Sequence, residues 1–140
     1  MYNLIITIIA IALTVAATAA AMYYGGDTLS QGRDRADAAA FVTGAQQITG
    51  GAQMHAATEG TVPADVDALI AAKYLNSLPT VKGSEWALNT EDRIVTATVA
   101  SADTCKAINS QAGEGTPEAV TTISGLFGCI TEGKKFTMKY

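Results

Sequence analysis

The sequence predicts an α+β fold: a long N-terminal α-helix whose second half packs on a small C-terminal antiparallel β-sheet. Three observations carry this reading. Residues 1–26 contain no Lys, Arg, Asp or Glu, and Asp27 is the first charged residue. Residues 27–58 keep an apolar stripe at helical spacing. Beyond Trp86, short apolar runs are separated by Asn, Asp and Gly, the pattern of strands and turns. The chain divides accordingly into an apolar segment, 1–26, and a globular head, 27–140. Within the head, 27–58 is the amphipathic half of the helix, 59–84 a connecting loop and 85–140 the sheet region.

The 140 residues amount to about one domain. All nine Lys and Arg and all thirteen Asp and Glu follow residue 26, so the net charge of −4 belongs to the head. An acidic head argues against a nucleic-acid partner, which needs clustered Lys and Arg. Lys134, Lys135 and Lys139, with Glu132 beside them, read as a solvated strand end.

The apolar segment has three readings. A secretory signal peptide would carry a basic region ahead of the apolar run, and none is present. A transmembrane anchor is long enough over residues 4–24, since about 20 apolar residues span a bilayer. No Lys or Arg flanks it, however, as the positive-inside rule expects. The third reading is a helix held in a membrane and later buried against protein. On a helical wheel, Asn3, Thr7, Ala10, Thr14, Ala17, Thr18 and Ala21 share a sector of roughly 100°. Their spacing alternates four and three, as in a seam between helices. Small residues let backbones approach, and Thr and Asn can bond across the contact. The other faces carry Leu4, Ile5, Ile6, Ile8, Ile9, Ile11, Leu13 and Val15. An anchor whose Ala and Thr fall on one face by accident remains the alternative.

The second half begins after Gly25-Gly26, adjacent glycines that weaken a helix. Asp27 or Thr28 is placed to cap this second helical stretch, and Arg33 and Asp37 stand four apart, though in the less favourable order. Phe41, Ala45, Ile48 and Ala52 form the apolar stripe, while Gly44, Gly50 and Gly51 argue against a regular helix. A helix reaching Thr58 would be roughly 85 Å long. His55, the only histidine, has no nearby Cys or carboxylate pair and reads as a partly exposed helix residue.

Gly60 ends the helix and Pro63 cannot continue it. Val66, Leu69 and Ile70 suit one short helix, Tyr74, Leu75 and Leu78 extend its apolar contacts, and Pro79 stops the segment. Trp86–Leu88 and Arg93–Val99 read as strands around the polar turn Asn89–Asp92. In the second, Val95, Ala97 and Val99 share one face and Ile94, Thr96 and Thr98 the other. Residues 103–109 suggest a short capped helix, and Ser110–Pro117 a loop. Leu126–Ile130 and Phe136–Tyr140 read as closing strands around Glu132-Gly133.

An uncharged N-terminal helix followed by Gly60, Pro63, Leu69, Tyr74, Leu75 and Pro79 resembles the type IV pilins and their secretion-system relatives, the pseudopilins. The segments around Cys105–Asn109, Cys129 and Phe136–Tyr140 resemble the C-terminal part of type IVb and thin-pilus subunits. The resemblance covers nearly the whole chain. It implies the pilin fold and a structural subunit that polymerises through its N-terminal helix. Met1, Asn3, Ile5, Thr7, Ala10, Thr14, Ala17 and Ala21 would then form the assembly helix. Implied partners are identical copies in a helical filament, the inner membrane before assembly, the pilus assembly machinery and a prepilin peptidase. The implied location is an extracellular filament.

Two cysteines are an even number, and an exported chain meets an oxidising compartment. The resemblance implies a C-terminal disulfide, carried onto Cys105 and Cys129. Closing such a loop would stabilise by roughly 3–4 kcal/mol on the chain-entropy model. Two buried free thiols are the alternative, and a zinc site lacks further ligands.

The sequence departs from the family at three places. Most such subunits carry a Glu where this chain has Ile5, thought to pair with a neighbour's N-terminal amine. Asn3, Thr7 or a backbone carbonyl would have to satisfy the amine here. The basic leader removed by the peptidase is not in the sequence, so the numbering is expected to start after cleavage. The proline found near this position in many type IVa pilins is absent around Met22, and Gly25-Gly26 would supply the local unwinding.

No catalytic set, phosphate loop or cofactor motif competes. Asp65 and Asp67 read as caps beside Pro63. Aromatics are sparse along the helix after Tyr2, Tyr23 and Tyr24, which argues against a stacked path for electrons. The expectation is therefore a non-enzymatic pilus subunit. The alternatives are a pseudopilin or minor pilin, and a monomeric membrane-anchored periplasmic binding domain.

Overall fold

The computed structural model describes residues 2–114 and 118–140. Helix α1 spans Tyr2–Glu59, followed by α2 (Val66–Ala71), β1 (Trp86–Asn89), β2 (Ile94–Thr98), α3 (Ala102–Ala112), β3 (Phe127–Ile130) and β4 (Lys135–Lys139). The fold is α+β, with a long N-terminal helix and a four-stranded antiparallel sheet, consistent with the pilin fold. The sheet order is β1-β2-β4-β3. The chain forms two compact units, Met1–Arg33 and Asp34–Tyr140.

In the second unit, the stripe foreseen on the helix is its buried face. Ala38, Phe41, Ala45, Ile48 and Ala52 are all buried. The Phe41 ring lies 5.8 Å from that of Phe136 on β4 and 5.9 Å from that of Trp86 on β1. Val95, Ala97 and Val99 complete the core from β2 and its end, as alternation predicts. Leu69 of α2 and Ile108 of α3 are fully buried beside them.

Several local expectations need correction. The helix runs without a break through Gly25 and Gly26, so the unwinding assigned to them is not present in the single chain. The helix does not restart at Asp27 or Thr28, so no second N-terminus exists there to cap, and the Thr28 hydroxyl donates to Gly25 C=O. Gly44, Gly50 and Gly51 do not interrupt the helix. Gly44 answers a need for space: a Cβ there would lie 2.9 Å from both Pro79 Cβ and the Trp86 ring. Arg33 and Asp37 form no ion pair among the described residues, in keeping with their unfavourable order. The third helix begins earlier and runs further than foreseen. Its cap is Ser101, whose hydroxyl accepts from Asp103 N–H at 3.1 Å.

The connections behave as the turn residues require. Gly60 takes φ +70 and returns its N–H to Ala56 C=O, closing α1. Asp65 caps α2 by accepting from Ala68 N–H at 2.7 Å. The Trp86 indole donates to Pro79 C=O at 2.9 Å and ties the connecting loop to β1. The Asn89 side chain accepts from Glu91 and Asp92 N–H and so folds the β1–β2 turn.

Candidate functional site

In the first unit, the helix presents a run of exposed apolar side chains. Leu4, Ile5, Ile6, Ile8, Ile9, Ile11, Leu13 and Val15 are each 53–67% exposed. The segment is long and apolar enough to cross a membrane, by length and composition. Of the residues assigned to the assembly helix, Asn3, Ile5, Thr7, Ala10, Thr14, Ala17 and Ala21 are helical and exposed. Met1 lies outside the described residues.

The seam threonines use their donors within the helix. Thr7 donates to Asn3 or Leu4 C=O at 2.9 Å, Thr14 to Ala10 or Ile11 C=O, and Thr18 to Thr14 C=O at 2.7 Å. An apolar medium is therefore no obstacle to these hydroxyls, because none is left as an unpaired donor. What they retain for a neighbour is acceptor capacity and small size. Tyr23 and Tyr24 close the apolar run, their rings edge to face at 5.5 Å. Tyrosines at that position suit a membrane–water boundary, where one end of the ring is wet.

In the second unit, Cys105 and Cys129 form a disulfide that joins α3 to β3, with Cα atoms 5.3 Å apart. Beside it lies a residue that sequence reasoning passed over. Asn109 is fully buried. Its Oδ1 accepts from Cys129 N–H at 2.7 Å, and its Nδ2 donates to Cys129 C=O at 2.8 Å. Its position four residues after Cys105 on one helix was the available signal.

His55 is half-buried, its Nδ1 2.9 Å from Thr61 C=O, with its ring against Tyr74 at 5.2 Å. Because a carbonyl only accepts, Nδ1 carries the proton. The lysines at the strand end are exposed, and Lys134 and Lys139 donate to the carbonyls of Ala100 and Ile123. Among the described residues, no group of three His, Cys, Asp or Glu is placed to hold a metal ion.

Comparison of the chain with family models, with curated proteins and with solved structures finds no match.

Proposed function

We propose that this chain is a filament subunit of the type IV pilin kind. Its apolar helix rests in the inner membrane before assembly and is buried among identical helices afterwards. The observation that carries this reading is the run of eight large, exposed aliphatic side chains on one unbroken helical segment. Monomeric soluble proteins rarely expose so large an apolar surface, and one that does marks a membrane or protein contact. Full burial of each is worth about 1.5–3 kcal/mol, far more than contacts between polar heads supply. Identical contacts that repeat without closing into a ring generate a helical filament.

The disulfide fits an exported, extracellular subunit, because such bonds persist in oxidising compartments. The internally bonded threonines fit a helix that passes from lipid to a protein interior. A pseudopilin or minor pilin shares all of these features and differs in abundance. A monomeric membrane-anchored domain shares the apolar helix but needs no seam.

Electron microscopy of material sheared from cells that express the chain is the test. Thin filaments in which this chain predominates are expected. Only short or trace filaments would move the reading to a pseudopilin, and membrane-held monomers alone would overturn it.

A further inference from the structure

The sheet has two edges, and the fold treats them differently. At β3, the Asn109 side chain stands in for a neighbouring strand by engaging both main-chain groups of Cys129. Close by, Thr131 N–H donates to Val120 C=O. At β1, Thr98 N–H donates to Glu85 C=O. Hydrogen-bonded pairs alternate along an antiparallel ladder. With the register Ala87–Thr96 and Asn89–Ile94, those residues turn toward β2, while Trp86 and Leu88 turn their N–H and C=O outward. Among the described residues, no main-chain hydrogen bond reaches these outward groups.

A cavity of about 600 Å³ lies against this edge. Trp86, Ala87 and Leu88 all line it. Their side chains alternate between the two faces of the sheet, so the cavity follows the edge and not one face. Leu78 and Pro79 add apolar wall, and three acidic residues, Asp65, Asp67 and Glu85, also line it, Asp65 while capping α2. Asp67 and Glu85 are exposed and enter no ion pair among the described residues. Lys82, the only base between residues 78 and 88, does not line the cavity.

We propose that β1 is a docking strand. It accepts, by strand addition, an extended partner segment that alternates Lys or Arg with apolar residues. The outward groups of Trp86 and Leu88 bond the partner's backbone. Its apolar side chains enter the groove, and its cations meet the three carboxylates. Main-chain bonds supply affinity in this mode, and side-chain pockets supply specificity. Charge decides the occupant. A second copy's β1 would set three carboxylates against three, a like-charge contact that opposes pairing. The site does not depend on the filament reading, because it serves a subunit or a monomer equally.

The test uses the full chain in neutral detergent micelles and a capped six-residue peptide alternating Lys and Val. Trp86 is the only tryptophan, so its fluorescence reports the groove directly. A saturable change is expected, with Kd on the order of 0.1–1 mM at low salt, weakening as salt screens the charges. Asp67→Asn with Glu85→Gln is expected to weaken binding by about five-fold, as for exposed ion pairs. The same peptide N-methylated at every internal amide keeps its charge but cannot add as a strand, and is expected not to bind. No saturable change overturns the proposal, as does equal binding by the methylated peptide or by a Glu–Val peptide. Intermolecular cross-links through Ala87→Cys without peptide would assign the edge to a second copy, and would equally overturn it.

Discussion

Single residues of this fold can be tested by whether space or charge is the limiting term. Gly44 and Gly50 occupy the same helix and differ only in what surrounds them. At Gly44 a methyl group meets Pro79 and the Trp86 ring at 2.9 Å. Gly44→Ala is expected to destabilise by about 1–3 kcal/mol, since overpacking outweighs the gain in helix propensity. At Gly50, among the described residues, nothing beyond its own turn of helix lies within 4 Å of the added atom. Gly50→Ala is therefore expected to stabilise by about 0.5–1 kcal/mol. Urea unfolding of both variants checks the pair, and shifts of the same sign would refute the packing argument. Tyr140 tests charge. Its hydroxyl is shielded from solvent and has no hydrogen-bond partner among the described residues. Burial raises its pKa above the ordinary tyrosine value, and the nearby Arg93 charge offsets part of that rise. The unfolded chain then ionises first, so stability is full below the unfolded pKa near 10 and falls as pH rises through it. Tyr140→Phe is expected to flatten that alkaline fall and to cost little at neutral pH. Unchanged pH dependence between the two proteins, in urea unfolding at pH 7 and at alkaline pH, would remove this account.

Among the elements, the tie between α3 and β3 carries the clearest prediction. A disulfide and the two Asn109 hydrogen bonds join the same pair of elements. Reduction, or Cys105→Ala with Cys129→Ala, is expected to cost roughly 3–4 kcal/mol through the freed unfolded chain. Asn109→Leu is expected to cost about 2–3 kcal/mol, because both buried main-chain groups of Cys129 lose their partners. The two losses are expected not to add, since either change loosens the same contact. Mass spectrometry without reduction should show one linked peptide pair, and denaturant unfolding should show the coupling. The elements themselves were largely legible in the sequence. Apolar spacing gave the buried face Phe41–Ala52, and alternation gave the core positions of β2. Gly60, Pro63 and Asp65 marked their turn correctly. What failed was inference from glycine content. Gly25, Gly26, Gly44 and Gly50 all sit in continuous helix, because flanking residues favour it and one of these glycines answers a packing need. The Asn109 tie and the open edge of β1 were not legible, because both depend on which residues the topology brings together.

For the whole molecule, the decisive question is whether one face of the apolar helix is special. The exposed aliphatic surface does not distinguish a seam from an anchor, since every side of residues 3–21 is open in the single chain. The wheel does distinguish them, with Asn3, Thr7, Ala10, Thr14, Ala17 and Ala21 on one side and Ile9 away from it. The bonding of Thr7 and Thr14 to their own backbone sharpens this argument. Closeness of approach, more than hydroxyl donation between helices, is then what the seam offers. Bulk on the seam should be worse than bulk elsewhere on the same helix. Ala17→Leu pushes backbones apart and loses contacts on both sides. Its filament yield, normalised to membrane-held subunit, is expected to fall on the order of tenfold or more, equivalent to at least ~1.4 kcal/mol per subunit contact. Ile9→Leu keeps side-chain volume and is expected to change yield by less than about two-fold. Leu is as compatible with lipid as either residue it replaces, so both variants remain in the membrane. A plain anchor would tolerate both equally. Matching yields from Ala17→Leu and Ile9→Leu would therefore remove the seam and leave a helix that only holds the head to a bilayer.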